Sequence, residues 1–112
     1  MNNYLQVELG GRKRGLKFNL GTIFFAKETS ALAANMELDN DIKEAAVIVH
    51  SALLSNCRNK KEEPDFTFSD VVDWVYEIEN LYTLTSITNA FSQITQSTAS
   101  PEGGQDTQQY AA

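Results

Sequence analysis

The sequence predicts an α+β domain that is mainly helical, in which an N-terminal β-hairpin packs on three or four helices. Apolar and polar residues alternate in two short runs near the N-terminus, which is the pattern of half-buried strands. Apolar residues then recur at steps of three and four over most of the chain, the spacing of a helical face. The 112 residues predict a single domain over 1–99 and a flexible polar tail over 100–112.

The hairpin is predicted over residues 4–20. Polar residues separate the apolar ones in both runs, so one face of the hairpin is apolar. That face is predicted to comprise Leu5, Val7, Leu9, Leu16, Phe18 and Leu20. Gly10 and Gly11 lie between the runs and indicate a turn. Because an isolated hairpin is only marginally stable in water, we expect a helix to cover its apolar face.

The first helix is predicted over about residues 21–35, with Asn19 or Thr22 as its N-cap. Lys27 and Glu28 begin its polar side. Its predicted apolar face comprises Ile23, Phe24, Phe25, Ala31, Leu32 and Met36.

The central helix is predicted over about residues 41–57 and forms the core of the domain. Asp41 and Glu44 have the spacing of a capping box at its start. Its main apolar face comprises Ile42, Ala45, Ala46, Val49, Ala52 and Leu53. Further apolar residues lie outside that face, so the rest of the chain is expected to cover this helix on several sides.

Two more helical segments are predicted, over about residues 68–79 and 81–95. A charged loop from Arg58 to Asp65 precedes them. Thr67 and Asp70 have the spacing of a second capping box. The residues Glu79–Asn80 leave open whether the last segment is a fourth helix or a continuation of the third.

Composition limits the classes of function. The net charge of −6 argues against a general nucleic-acid binder. Cys57 is the single cysteine, which fits a reducing compartment. The sequence has no apolar run of 18 residues, and its first residues lack the pattern of a secretory signal, so we expect a cytoplasmic protein without a membrane span.

The sequence predicts no catalytic residues, no metal site and no cofactor. His50 is the single histidine and has no partner set for a metal. Cys57 lies two helical turns from it, about 10 Å away, which is too far for a nucleophile and its base. The three carboxylates of Asp70, Asp73 and Glu77 are interpreted as a solvated helix face rather than a cation site. An enzyme is therefore the least favoured class.

The turn of the hairpin carries the strongest basic cluster, which comprises Arg12, Lys13, Arg14 and Lys17. A basic turn can contact phosphate groups, so a nucleic-acid-binding regulator that uses residues 12–17 is one alternative. The cluster is short and has no interleaved aromatic residues. An exposed hairpin tip, or a contact to an acidic protein surface, is therefore favoured.

The stretch from Leu81 to Pro101 contains no charged residue. Surfaces that are depleted in charge are typical of the centres of protein interfaces. The sequence therefore predicts a partner-binding surface on the last helix, at Leu84, Ile87, Phe91 and Ile94. A neutral amphipathic helix that only packs on the core is an equally weighted alternative. The hairpin edge is a second candidate surface, because its backbone groups can accept another strand.

The order of elements resembles the small tail assembly chaperones of long-tailed bacteriophages and related prophages. The resemblance covers Tyr4 to Ile94 and rests on three segments: YLQVELGGRKRGLKFNL, EAAVIVHSALLS and FTFSDVVDWVYEIE. It implies a mostly helical, non-enzymatic protein in the bacterial host cytoplasm, which binds the tape measure protein, the tail tube protein or both during tail assembly. It implies no catalytic residue. The same surfaces could also pair two copies of the chain into a homo-oligomer. The alternative function is that of a small structural or connector protein of the phage particle.

Overall fold

The computed structural model describes the backbone of residues 3–99 and the side chains of residues 3–96. The predicted tail, residues 100–112, lies outside this range. The described elements are β1 (Tyr4–Leu9), β2 (Arg12–Lys17), α1 (Leu20–Ala33), α2 (Asn40–Lys60), α3 (Phe68–Tyr76) and α4 (Leu81–Ala99). This arrangement confirms the predicted fold class: an N-terminal hairpin followed by helices.

The hairpin is antiparallel, and its pairs run from Tyr4 and Lys17 to Leu9 and Arg12. Gly10 and Gly11 form the two-residue turn with φ values of +63° and +86°, as the twist of a tight hairpin requires. The apolar face is confirmed, because Leu9, Leu16 and Phe18 are buried and Leu5 and Val7 pack against the core. Leu20 was wrongly assigned to this face. It begins α1 and is 55% exposed.

The cap of α1 is confirmed, but its predicted apolar face is only partly correct, since Ile23 and Met36 pack against the core and Ala31 is exposed. The Asn19 side chain accepts a hydrogen bond from the Thr22 backbone N–H, and the Thr22 hydroxyl accepts one from the Asn19 backbone N–H. Thr22, Thr29 and Ala33 are buried, whereas Phe24 is 58% exposed and Leu32 is 55% exposed. The threonines can lie inside because each hydroxyl has a partner, the Lys17 carbonyl for Thr22 and His50 for Thr29.

The central helix α2 is longer than predicted at both ends. It begins at Asn40, and its N-cap Asp39 makes no side-chain cap bond, so the predicted capping box at Asp41 and Glu44 is wrong. Asp41 lies within the first turn, where its negative charge suits the positive helix terminus. The helix continues to Lys60 and ends in a left-handed residue, Lys61. Glu62 N–H then donates to the Cys57 carbonyl over 2.9 Å, which is a common way to close a helix.

The prediction that α2 is the core is confirmed. Helices α1, α3 and α4 and strand β2 all contact it. Its buried apolar residues are Ala45, Ala46, Ile48, Val49, Ala52 and Leu53. Leu16 and Phe18 from the hairpin, Val71 from α3 and Ile87 from α4 complete a single cluster around it.

Helices α3 and α4 are separate, which decides the question that the sequence left open. The capping box that begins α3 is confirmed: Thr67 N–H donates to the Asp70 carboxylate over 2.9 Å, and Asp70 N–H donates to the Thr67 hydroxyl over 3.2 Å. After α3 ends at Tyr76, the Asn80 side chain accepts a hydrogen bond from Tyr82 N–H over 2.9 Å. This bond caps the start of α4. Among the described residues, no helix combines the length and hydropathy that a membrane span requires.

Candidate protein-binding surfaces

The four residues of α4 that were predicted to bind a partner point towards the core. Ile87 is fully buried, and Ile94 is 9% exposed. Leu84 and Phe91 are half-buried and pack against the core cluster. A partner therefore has no access to Ile87 or Ile94 while α4 keeps this position. Of the four, Phe91 also borders an open groove, together with Thr88, Ser92 and Thr95 of α4.

The groove lies between α1, the first half of α2 and the second half of α4, and its volume is about 870 Å³. On α1 it is lined by Ala26, Ser30 and Ala33, which recur at steps of four and three. These small side chains keep the groove open, because larger ones would fill the space between the helices. Val47 and Ile48 of α2 also line it and provide an apolar surface.

The α4 side of the groove is uncharged. Thr88, Phe91, Ser92 and Thr95 line it, and the charged groups that border the groove, Lys43 and Glu44, both belong to α2. A neutral, partly apolar groove between helices is suited to an amphipathic helix that lays its apolar face into it. None of the groove-lining residues is a histidine or a cysteine.

The basic turn of the hairpin is largely engaged in the fold. The Arg14 guanidinium lies 4.4 Å from the centre of the Trp74 ring, and its Nε donates to the Leu9 carbonyl over 3.0 Å. Its Nη1 also donates to Asp65 over 2.9 Å, and Arg12 forms an ion pair with the same carboxylate. The hydrogen bond from Arg14 lowers the pKa of Asp65. Two of the four cations in the cluster therefore have an acidic partner already, which weakens the case for phosphate binding.

Burial shifts the pKa values of the single histidine, His50, and of the single cysteine, Cys57. Burial lowers the pKa of His50, and its Nδ1 is hydrogen-bonded to Thr29. Burial and the nearby carboxylates of Glu62 and Asp65 raise the pKa of the Cys57 thiol, so the nucleophilic thiolate is disfavoured. Among the described residues, no group of three or more His, Cys, Asp or Glu side chains is placed to hold a metal ion.

Six large apolar side chains are exposed among the described residues, which the sequence did not predict. Leu20, Phe24 and Leu32 lie on the outer side of α1, and Tyr76, Leu81 and Tyr82 lie around the connection from α3 to α4. The sequence of α1 did indicate that some of its apolar residues would be exposed, because they surround the helix without favouring one face. A helix that packs on one side of a small domain cannot bury all of them.

Comparison with known proteins returns no match: neither a protein-family model, nor a curated protein, nor a solved structure matches the chain.

Proposed function

We propose that the protein is a tail assembly chaperone of a long-tailed phage or prophage, a non-enzymatic binding protein of the bacterial host cytoplasm. Its partner is the tape measure protein, the tail tube protein or both. The observation that carries the proposal is the neutral groove of about 870 Å³ between α1, α2 and α4.

The chemistry of the groove suits a long helical client. A chaperone that keeps an amphipathic helix in solution needs an uncharged surface for the apolar side of that helix, and in this groove the α4 side is uncharged while Lys43 and Glu44 lie on α2. Helix α4 meets this need with Thr88, Phe91 and Ser92, and no charged residue occurs along its length. The order of elements, a hairpin, two helices, a charged loop and two further helices, supports the same family resemblance.

The proposal is tested by co-expression of the full chain with a tape measure protein of a long-tailed phage from the same source, followed by affinity purification of the chain. Ser92 is exposed and lines the groove, whereas Asn89 is exposed on α4 and lies outside it. We expect Ser92→Glu and Ser92→Arg each to reduce the co-purified tape measure protein at least about tenfold, because either charge must be desolvated on binding.

The matched controls are Asn89→Glu and Asn89→Arg, which place the same charges outside the groove. These variants are expected to retain the partner. Equal recovery of the tape measure protein with the Ser92 and Asn89 variants would show that the groove does not bind it. No recovery with the unmodified chain would show that the tape measure protein is not the partner. The same experiment with the tail tube protein identifies which of the two clients binds.

A component of the finished particle is the rival function, and it predicts a different location for the chain. A chaperone leaves before the tail is complete, so purified particles are expected to lack the protein while the infected cell contains it. Quantitative mass spectrometry of purified particles and of the lysate distinguishes the two functions. A constant number of copies per particle would contradict the chaperone proposal.

A further inference from the structure

The outer edge of β1 presents backbone groups that pair with nothing in the hairpin. Bonded pairs alternate along an antiparallel ladder. Phe18 N–H donates to the Asn3 carbonyl over 2.8 Å, and this register places Leu5, Val7 and Leu9 in the bonded positions. The backbone N–H and C=O groups of Gln6 and Glu8 therefore point away from β2.

A slot lies along this edge, with a volume of about 410 Å³. Gln6, Val7 and Glu8 form one side, and the connection from α3 to α4, residues 77–80, forms the other. Val7 and Ile78 are half-buried and pack against the core, so the slot has an apolar floor.

The connection also offers unpaired backbone groups. The N–H groups of Glu77 and Ile78 donate to carbonyls of α3. Among the described residues, no acceptor is found for the N–H groups of Glu79 and Asn80. Both walls of the slot therefore present main-chain groups without a partner, as a site for strand addition requires.

The charges around the slot select the occupant. Glu8, Glu77 and Glu79 line it and are exposed, and none of its lining residues is basic. A second copy of β1 in this slot would bring its own Glu8 towards these carboxylates, in a chain whose net charge is already −6. A strand with basic side chains gains instead from the same charges.

We infer that the slot between β1 and residues 77–80 binds an extended, basic segment of a partner protein, which adds as a strand to the edge of β1. The segment pairs its backbone with Gln6 and Glu8, places alternate apolar side chains over Val7 and Ile78, and directs its basic side chains towards the three glutamates. The slot is separate from the groove between α1, α2 and α4, so the inference does not depend on the proposed function.

The probe is a capped peptide of seven residues with the sequence KVKVKVK, compared with EVEVEVE of the same length and alternation. Binding to the full chain is measured by fluorescence anisotropy, and the site is located by the amide NMR signals of Gln6 and Glu8. We expect the basic peptide to bind at least about tenfold more tightly than the acidic one. The double variant E77K/E79K is expected to lose this preference.

The control for net charge is E62K/E63K, which makes the same change at two exposed glutamates that do not line the slot. It is expected to keep the affinity of the unmodified chain within about twofold at moderate salt, because distant exposed charges are screened. Equal loss in both double variants would overturn the inference, since the attraction would then be general.

Strand addition is separated from simple charge attraction by a basic peptide that is N-methylated at alternate residues. This peptide keeps its charges but loses the N–H groups that bond to β1, and we expect its affinity to fall at least about tenfold. Undiminished binding would overturn the inference. Protection of the Gln6 and Glu8 amides from hydrogen exchange in a dimer without peptide would also overturn it, because a second copy would then occupy the slot.

Discussion

Thr29 of α1 and His50 of α2 form a buried hydrogen bond, with 3.1 Å between the Thr29 hydroxyl oxygen and His50 Nδ1. The histidine ring also lies edge-on to Phe66 and Phe68, with centroid distances of 5.7 and 5.3 Å. This pair joins the two helices that share the most extensive contact in the domain. It also explains the orientation of α1, because a buried polar group must find a partner.

The burial of His50 makes the free energy of unfolding depend on pH below about 6.5. Burial lowers the pKa of His50 below the ordinary value of 6.5, so the unfolded chain binds more protons than the folded chain in this range. The contribution of His50 to the free energy of unfolding is fully present above about pH 6.5. It is lost as the pH falls from 6.5 through the lowered pKa. We expect urea unfolding to give a smaller free energy at about pH 5.5 than at about pH 7.5.

The variant His50→Gln is the control for this pH dependence. Glutamine does not titrate, so the difference between the two pH values is expected to shrink even though the variant is less stable overall. An unchanged pH dependence in His50→Gln would assign the effect to other groups.

Removal of the Thr29 hydroxyl should destabilise the domain. Thr29→Val keeps the shape of the side chain but leaves His50 Nδ1 without its partner in the interior. We expect a loss of about 1–3 kcal/mol in the free energy of unfolding, the cost of an unsatisfied buried polar group. The matched control is Thr85→Val, at an exposed position of α4, where a change within about 0.5 kcal/mol is expected in the same urea titration. Equal effects at the two sites would contradict the role of the buried bond.

The two glycines of the hairpin turn should respond differently to alanine. Both have positive φ, so either substitution strains the backbone by about 1 kcal/mol. A Cβ atom at Gly10 would also lie 2.5 Å from the Trp74 ring, whereas a Cβ atom at Gly11 meets no atom within 4 Å. We expect Gly10→Ala to cost about 1–3 kcal/mol more than Gly11→Ala.

Thermal unfolding of the two glycine variants measures this difference, and the tryptophan fluorescence reports whether the ring moves. A shifted emission maximum is expected only for Gly10→Ala, since Trp74 is the single tryptophan of the chain. Indistinguishable melting curves and spectra for the two variants would show that Trp74 does not restrict the turn.

Local sequence patterns correctly predicted the features that are set by residues close together in the chain. The hairpin followed from alternation around Gly10 and Gly11, and the start of α3 followed from Thr67 and Asp70, because strand faces and capping boxes are set by neighbours in sequence. The predicted inward face of α1 was partly wrong for the opposite reason. Its inward face depends on Thr29, whose partner His50 lies 21 residues away, and hydrophobicity alone ranks Phe24 and Leu32 above threonine for burial.

The candidate binding surface was only partly predictable. The absence of charge from α4 predicted a binding surface on this helix, but a pattern of apolar residues does not distinguish a core face from a binding face. The groove depends on the small side chains of Ala26, Ser30 and Ala33, which become informative only when the packing of α1 against α2 and α4 is known. The acidic slot beside β1 likewise combines Glu8 with Glu77 and Glu79, which are distant in sequence.

The role of Ile87 provides the sharpest test of how α4 is used. If Ile87 belongs to the core, as its complete burial indicates, Ile87→Ala leaves a cavity and should lower the free energy of unfolding by about 2–5 kcal/mol. Leu81 is 77% exposed on the same helix, and Leu81→Ala is expected to change stability by no more than about 0.5 kcal/mol. Urea unfolding of both variants gives the two values. A small effect of Ile87→Ala on stability, together with loss of the co-purified partner, would instead show that α4 leaves the core and that Ile87 binds the partner directly.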